Sequence, residues 1–97
     1  MSYFVVVECG LERVLAVVEA RDAFAAFAGA ARRLYGDGAR AVFSIVDNSR
    51  PGAWAAYELP QDFADPRAWE MFGLDAVRHG TVSAFVFCHA TKETRKR

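Results

Sequence analysis

Cys88 and His89 stand side by side in this sequence, the residue types of a nucleophile with its base or of a metal-binding pair. They fall in "TVSAFVFCHA", a β-branched and aromatic run that predicts a strand over 81–89. Neighbouring side chains in a strand point to opposite faces, so the two cannot act on one atom or hold one ion. A zinc centre would need Cys9 and His79 as well, and the spacing of these two Cys and two His fits no zinc pattern. Cys88 reads as a small core residue, and His79 as part of a helix C-terminal turn. The acid–base candidates are Asp47, Glu58, Asp62 and Asp65. Asp65 precedes Pro66 and reads as a helix cap. Asp47 closes a strand and reads as a turn former bonding Ser49 or Arg50. No G-x-S-x-G motif is present, and Ser44 and Ser83 fall in mid-strand. The residues thus predict no catalytic site, no metal and no cofactor. A ligand-binding or catalytic domain, the alternative reading, would need Asp47, Glu58, Tyr35 or His89 to share a pocket at a dimer interface.

Binding chemistry is better represented. "DNSRPG", residues 47–52, has the composition of a hairpin turn, with Asx side chains, a proline that fixes φ and a flexible glycine. Arg50 at its tip and Trp54 just beyond it are residue types that anchor protein interfaces. Tyr57 would extend that surface if its strand lies at a sheet edge. Met71 and Leu74 fall outside the apolar stripe of the second predicted helix and read as a contact patch. The tail "KETRKR" sets Lys92, Arg95, Lys96 and Arg97 against Glu93. It carries +3, and since the whole chain is neutral, residues 1–91 carry −3. That tail is expected to be disordered, and it is the one place where nucleic acid could be contacted. A neutral chain lacks the basic face that a duplex binder needs. The strand aromatics Tyr3, Phe85 and Phe87 lack the basic neighbours of a single-strand RNA platform.

Stepping from these residues to the elements that position them, the order is ββαββαβ. Strands are predicted over 2–8 and 12–19, joined by a turn at Gly10. A helix follows, capped by Asp22 and stopped by Gly36. Phe24, Phe27, Ala28, Ala31, Leu34 and Tyr35 recur at helical spacing and predict its buried face. Its opposite face would carry Asp22, Ala25, Ala26, Gly29 and Arg33, an Ala/Gly strip that another backbone could approach closely. Strands over 40–47 and 53–59, a second helix over 66–78 with Trp69, Phe72 and Ala76 inward, and the strand over 81–89 complete the domain. The fold class is α+β, a mainly antiparallel five-stranded sheet with two helices on one face. From the second strand on, the element order is similar to that of ferredoxin-like domains, which implies a first strand flanked on both sides. The strands are apolar on both faces. Two helices on one face leave the other uncovered, so a second copy of the chain or another protein is expected there.

Ninety-seven residues make one domain, residues 1–91, with 54% apolar residues and eight Phe to fill its core. Ten Arg to two Lys, with eighteen Ala, point to a GC-rich bacterial genome. No apolar run approaches the ~20 residues that span a bilayer, and no signal peptide opens the chain. The expectation is a non-enzymatic cytoplasmic interaction module of the accessory, inhibitor, antitoxin or phage-protein type. It would dock on a partner protein and self-associate, with homodimer formation expected.

Overall fold

The computed structural model describes residues 1–60 and 73–92. Five strands form one antiparallel sheet, and the class is α+β. Ser2–Glu8 (β1) turns back into Arg13–Ala20 (β2), the expected hairpin. Gly10 takes φ +89° in that turn, and a Cβ there would stand 3.1 Å from Pro51 Cα. Only glycine meets both demands without strain. Glu8 and Arg13 clasp the hairpin with a 2.8 Å ion pair.

Ala23–Tyr35 (α1) begins and ends where its punctuation predicts. The Asp22 carboxylate accepts the Ala25 N–H at 2.8 Å, satisfying one of the free donors of the first turn. Gly36, at φ +89°, donates its N–H to the Arg32 carbonyl at 2.8 Å. The buried face is the predicted one only in part: Phe27 and Ala31 are buried as expected. Ala23, Ala26, Phe27, Ala30 and Ala31 pack on the sheet, while Phe24, Leu34 and Tyr35 are exposed. Alanine is the reason: a stripe of methyl groups lets a helix lie closer to a sheet than Phe or Leu would. Gly29, placed in the exposed strip by sequence, comes close enough that a Cβ would stand 3.5 Å from Val18 Cγ1. Ala26 is fully buried and is corrected from helix-interface residue to core.

Ala39–Val46 (β3), Trp54–Glu58 (β4) and Thr81–Lys92 (β5) complete the sheet. Of the predicted second helix, 66–72 lies outside the described residues, and Gly73–His79 is a 3-10 helix. β5 continues past its expected end at 89 to Lys92, so that residue belongs to the sheet and not to the tail.

The strand order is β2-β1-β4-β5-β3, with every neighbouring pair antiparallel. This corrects the ferredoxin-like expectation. The tight turn ties β1 to β2, β4 pairs with the other side of β1, and β2 is left at the edge. The two edge strands, β2 and β3, are joined by α1, which crosses the sheet between them. A second correction concerns "DNSRPG". β3 and β4 are not paired, because β5 lies between them. Both run antiparallel to β5, hence parallel to each other, and Val46 and Trp54 sit at the Phe85–Val86 level of β5 on its two sides. The segment is therefore a crossing over β5 and not a hairpin turn. It ends against the first hairpin, where the Cys9 N–H donates to the Ala53 carbonyl at 2.8 Å and the Gly52 N–H to the Cys9 carbonyl at 3.0 Å.

The two-faced apolar strands have an explanation inside the chain. β1 is central, and Phe4 and Val6 pack under α1 while Val5 and Val7 pack on the other face with Val17, Ala55 and Leu59. Ala76 of the 3-10 helix covers that second cluster. The two helices thus lie on opposite faces, not on one. β1, β2 and β4 do not need a second chain to bury their outer sides.

Candidate functional site

The predicted anchors do not form one surface. Arg50 is exposed on the crossing segment, but Trp54 is only 5% exposed and lies in the α1-side core, its ring centroid 6.1 Å from that of Phe43. Trp54 is corrected from interface anchor to core residue, because β4 is an inner strand whose first residue faces α1. For the same reason Tyr57 is not on an edge strand. It lies on the opposite face, half-buried, and shares a cleft of about 550 Å³ with Leu74, Cys9, Ser49, Asp75 and Arg78. The cleft sets Tyr57 beside Leu74, residues expected in two separate patches, without Trp54 or Arg50. Met71 lies outside the described residues, as do Asp62, Asp65, Trp69, Phe72 and the tail residues Arg95, Lys96 and Arg97.

The cleft is poor in reactive groups. Burial pushes the Cys9 thiol above its ordinary value; a backbone hydrogen bond with Arg50 opposes this and the charge of Glu8 adds to it. Burial also raises Tyr57, with a smaller push from Cys9. Both groups are held neutral, which is the reverse of an activated nucleophile. Cys88 is raised by burial alone. It opposes Phe43 and packs toward α1, whereas His89 opposes Val42 on the other face and is exposed. The pair is split as strand geometry requires. Among the described residues, no group of His, Cys, Asp and Glu could hold a metal, and no helix is long and apolar enough to cross a membrane.

The four residues of the alternative reading do not meet. Glu58 is registered with Thr81, at the start of β5, and accepts the Ser2 hydroxyl at 2.6 Å. His89 lies eight residues further along β5, roughly 26 Å away at the rise of an extended strand. Asp47 begins the crossing segment and Tyr35 ends α1.

Two features stand out instead, one of them built partly from residues that the sequence singles out. The first is the outer edge of β3, where Val42 is 64% and Ile45 71% exposed. The second is a groove of about 850 Å³ at the outer edge of β2, which gathers Ala25, Gly29 and Arg33 of the predicted helix interface and adds Arg21 and Arg32. The Ala/Gly strip of α1 was the sequence signal for the groove; that β2 and β3 are the edges was not readable, because edge position is a property of the whole sheet. Comparison with family models, with curated proteins and with solved structures finds no match to this chain.

Proposed function

We propose that this chain is a non-enzymatic protein-interaction module that self-associates by pairing β3 with β3 of a second copy. One observation carries this reading: β3 is an edge strand of eight residues whose β-branched side chains Val42 and Ile45 stand in solvent. Edge strands are ordinarily guarded by Lys, Pro, a bulge or shortness. β3 has one charge, Arg40, no proline, and an uninterrupted register with β5.

The occupant follows from the strand itself. A twofold axis perpendicular to the sheet sets one residue opposite its own copy. Centred on Val42, the pairing places Arg40 against Ser44 and Ala41 against Phe43. Centred on Phe43, it places Arg40 against Val46 and Ala41 against Ile45. Either register keeps the two Arg40 side chains apart and leaves α1 on the same face of both copies. The product is a continuous ten-stranded sheet with Phe24 and Tyr35 of α1, exposed in one copy, flanking the seam. A further protein partner would then dock on the assembled sheet.

Light scattering of the purified chain across a concentration series tests the reading. A dimer is expected, and Ile45→Glu and Val42→Glu are each expected to yield monomer with unchanged circular dichroism. A monomer at all concentrations, or a dimer indifferent to both substitutions, would overturn it.

A further inference from the structure

The groove beside β2 has a geometry that selects its guest. Val17, Val18, Glu19 and Ala20, four consecutive strand residues, all line it. Consecutive strand side chains point to opposite faces, so a cavity touched by all four wraps the strand's edge; near the Ala20 end it also reaches Met1 and Tyr3, the β1 partner of Glu19. β2 has β1 on one side and, among the described residues, no strand on the other. The backbone N–H and C=O groups of that outer side open into the groove.

α1 forms one wall through Ala25 and Gly29, small residues that leave the space wide, and ends it with Arg32 and Arg33. Arg21, which follows β2, stands at the same groove. All three are exposed, and none of them is in an ion pair among the described residues. Glu19 and Asp37 also line the groove, which leaves it net basic in a chain that is neutral as a whole. β2 has no proline or lysine, and its one irregularity, the extra residue Leu15, lies before Val17–Ala20, where the register with β1 is regular and an added strand can pair.

We infer that this groove receives an extended acidic segment of a partner protein, which adds to the sheet beside Val17–Ala20 and sets alternate carboxylates against Arg21, Arg32 and Arg33. The two kinds of contact divide the task. Main-chain hydrogen bonds to a strand edge give affinity without regard to sequence, and side chains on every second residue give selectivity. Arginine suits the second role, since its planar fork pairs a carboxylate with two parallel hydrogen bonds. The surface is separate from the outer edge of β3, at the other side of the sheet, so it does not depend on self-association.

Fluorescence anisotropy with three labelled octapeptides is the test. One alternates valine and glutamate, one alternates valine and lysine, and one repeats the glutamate sequence with alternate backbone nitrogens methylated. The glutamate peptide is expected to bind and to weaken with added salt, and the other two are expected not to bind. Arg32→Glu with Arg33→Glu should weaken it at least about tenfold, the equivalent of two lost exposed ion pairs made repulsive. Arg21→Ala, one residue before the Asp22 cap, should weaken it by a smaller factor, and unchanged circular dichroism of every variant excludes a helix-folding artefact. Equal binding of the methylated peptide would overturn strand addition. Binding of the lysine peptide, no binding of any peptide up to millimolar concentration, or binding of oligo-deoxythymidylate in place of the glutamate peptide would overturn the assignment altogether.

Discussion

Substituting Trp54 by Ala separates a core residue from an interface anchor, and the structure sets the size of the effect. Trp54 is 5% exposed, belongs to the α1-side cluster with Phe4, Phe27 and Val86, and packs against Phe43. Removing a buried indole leaves a cavity that a sheet flanked on both sides closes poorly, and the cost for such a change is about 3–5 kcal/mol. A domain of this length has roughly 5–15 kcal/mol in total, so Trp54→Ala removes about a fifth of it or more. At about 4–8 °C per kcal/mol for a domain of this size, the midpoint of thermal unfolding should fall by at least about 12 °C. Ile45→Glu is the matched control. Ile45 is 71% exposed, so its stability should change by no more than about 0.5 kcal/mol while the dimer is lost. Urea titrations followed by circular dichroism, at a protein concentration that keeps both variants monomeric, measure the two costs. If Trp54→Ala left the urea midpoint within error of the parent and instead abolished association, the packing assigned to Trp54 would be wrong.

Further outcomes are expected at single positions. Asp22→Ala removes the side-chain acceptor of the Ala25 N–H and should cost about 1 kcal/mol, read as a shift in urea midpoint that Asp22→Asn largely restores. Gly10→Ala places a Cβ at φ +89° and 3.1 Å from Pro51 Cα; a destabilisation of about 1–2 kcal/mol is expected from the left-handed backbone alone, and a neutral result would mean that the hairpin and the crossing segment do not meet as described. Stability should decline at alkaline pH, because Cys9, Cys88 and Tyr57 are all raised by burial. A raised folded pKa gives a contribution that is full below the unfolded value and lost as pH climbs through the folded one. The decline should therefore set in near the ordinary thiol value of 9.0, and Cys9→Ser with Cys88→Ser should flatten its first part.

Local structure was legible because local chemistry decides it. Asp22 and Gly36 mark the ends of α1, Gly10 marks the hairpin, and each is set by hydrogen bonds or dihedral angles within a few residues. Faces were less legible. Spacing of the large residues predicted Phe24, Leu34 and Tyr35 inward, but in α1 the alanines decide closeness to the sheet and the large side chains are left at its margins. Position within the sheet was not legible at all. Trp54 has the residue type and loop-end placement of an anchor, and only the insertion of β5 between β4 and β3 turns it into core. The same insertion made a crossing segment of residues with perfect turn composition. Likewise, the apolar character of β1 on both faces is a signal of central position that resembles, in sequence, a demand for a second chain.

That insertion also has a bearing on how the molecule is born. β5 is synthesised after both of its neighbours, yet among the described residues β3 has no other partner strand and β4 has only β1 besides. A growing chain can therefore assemble β1, β2, α1 and β4 while β3 hangs from the end of α1 with both its edges bare. During that interval β3, with its β-branched Val42 and Ile45, is fully unguarded. Completion depends on threading the last-made strand into a waiting slot, a long-range step whose entropic cost makes it slow. Truncated chains ending before residue 81 should accordingly engage chaperones that the full chain does not recruit.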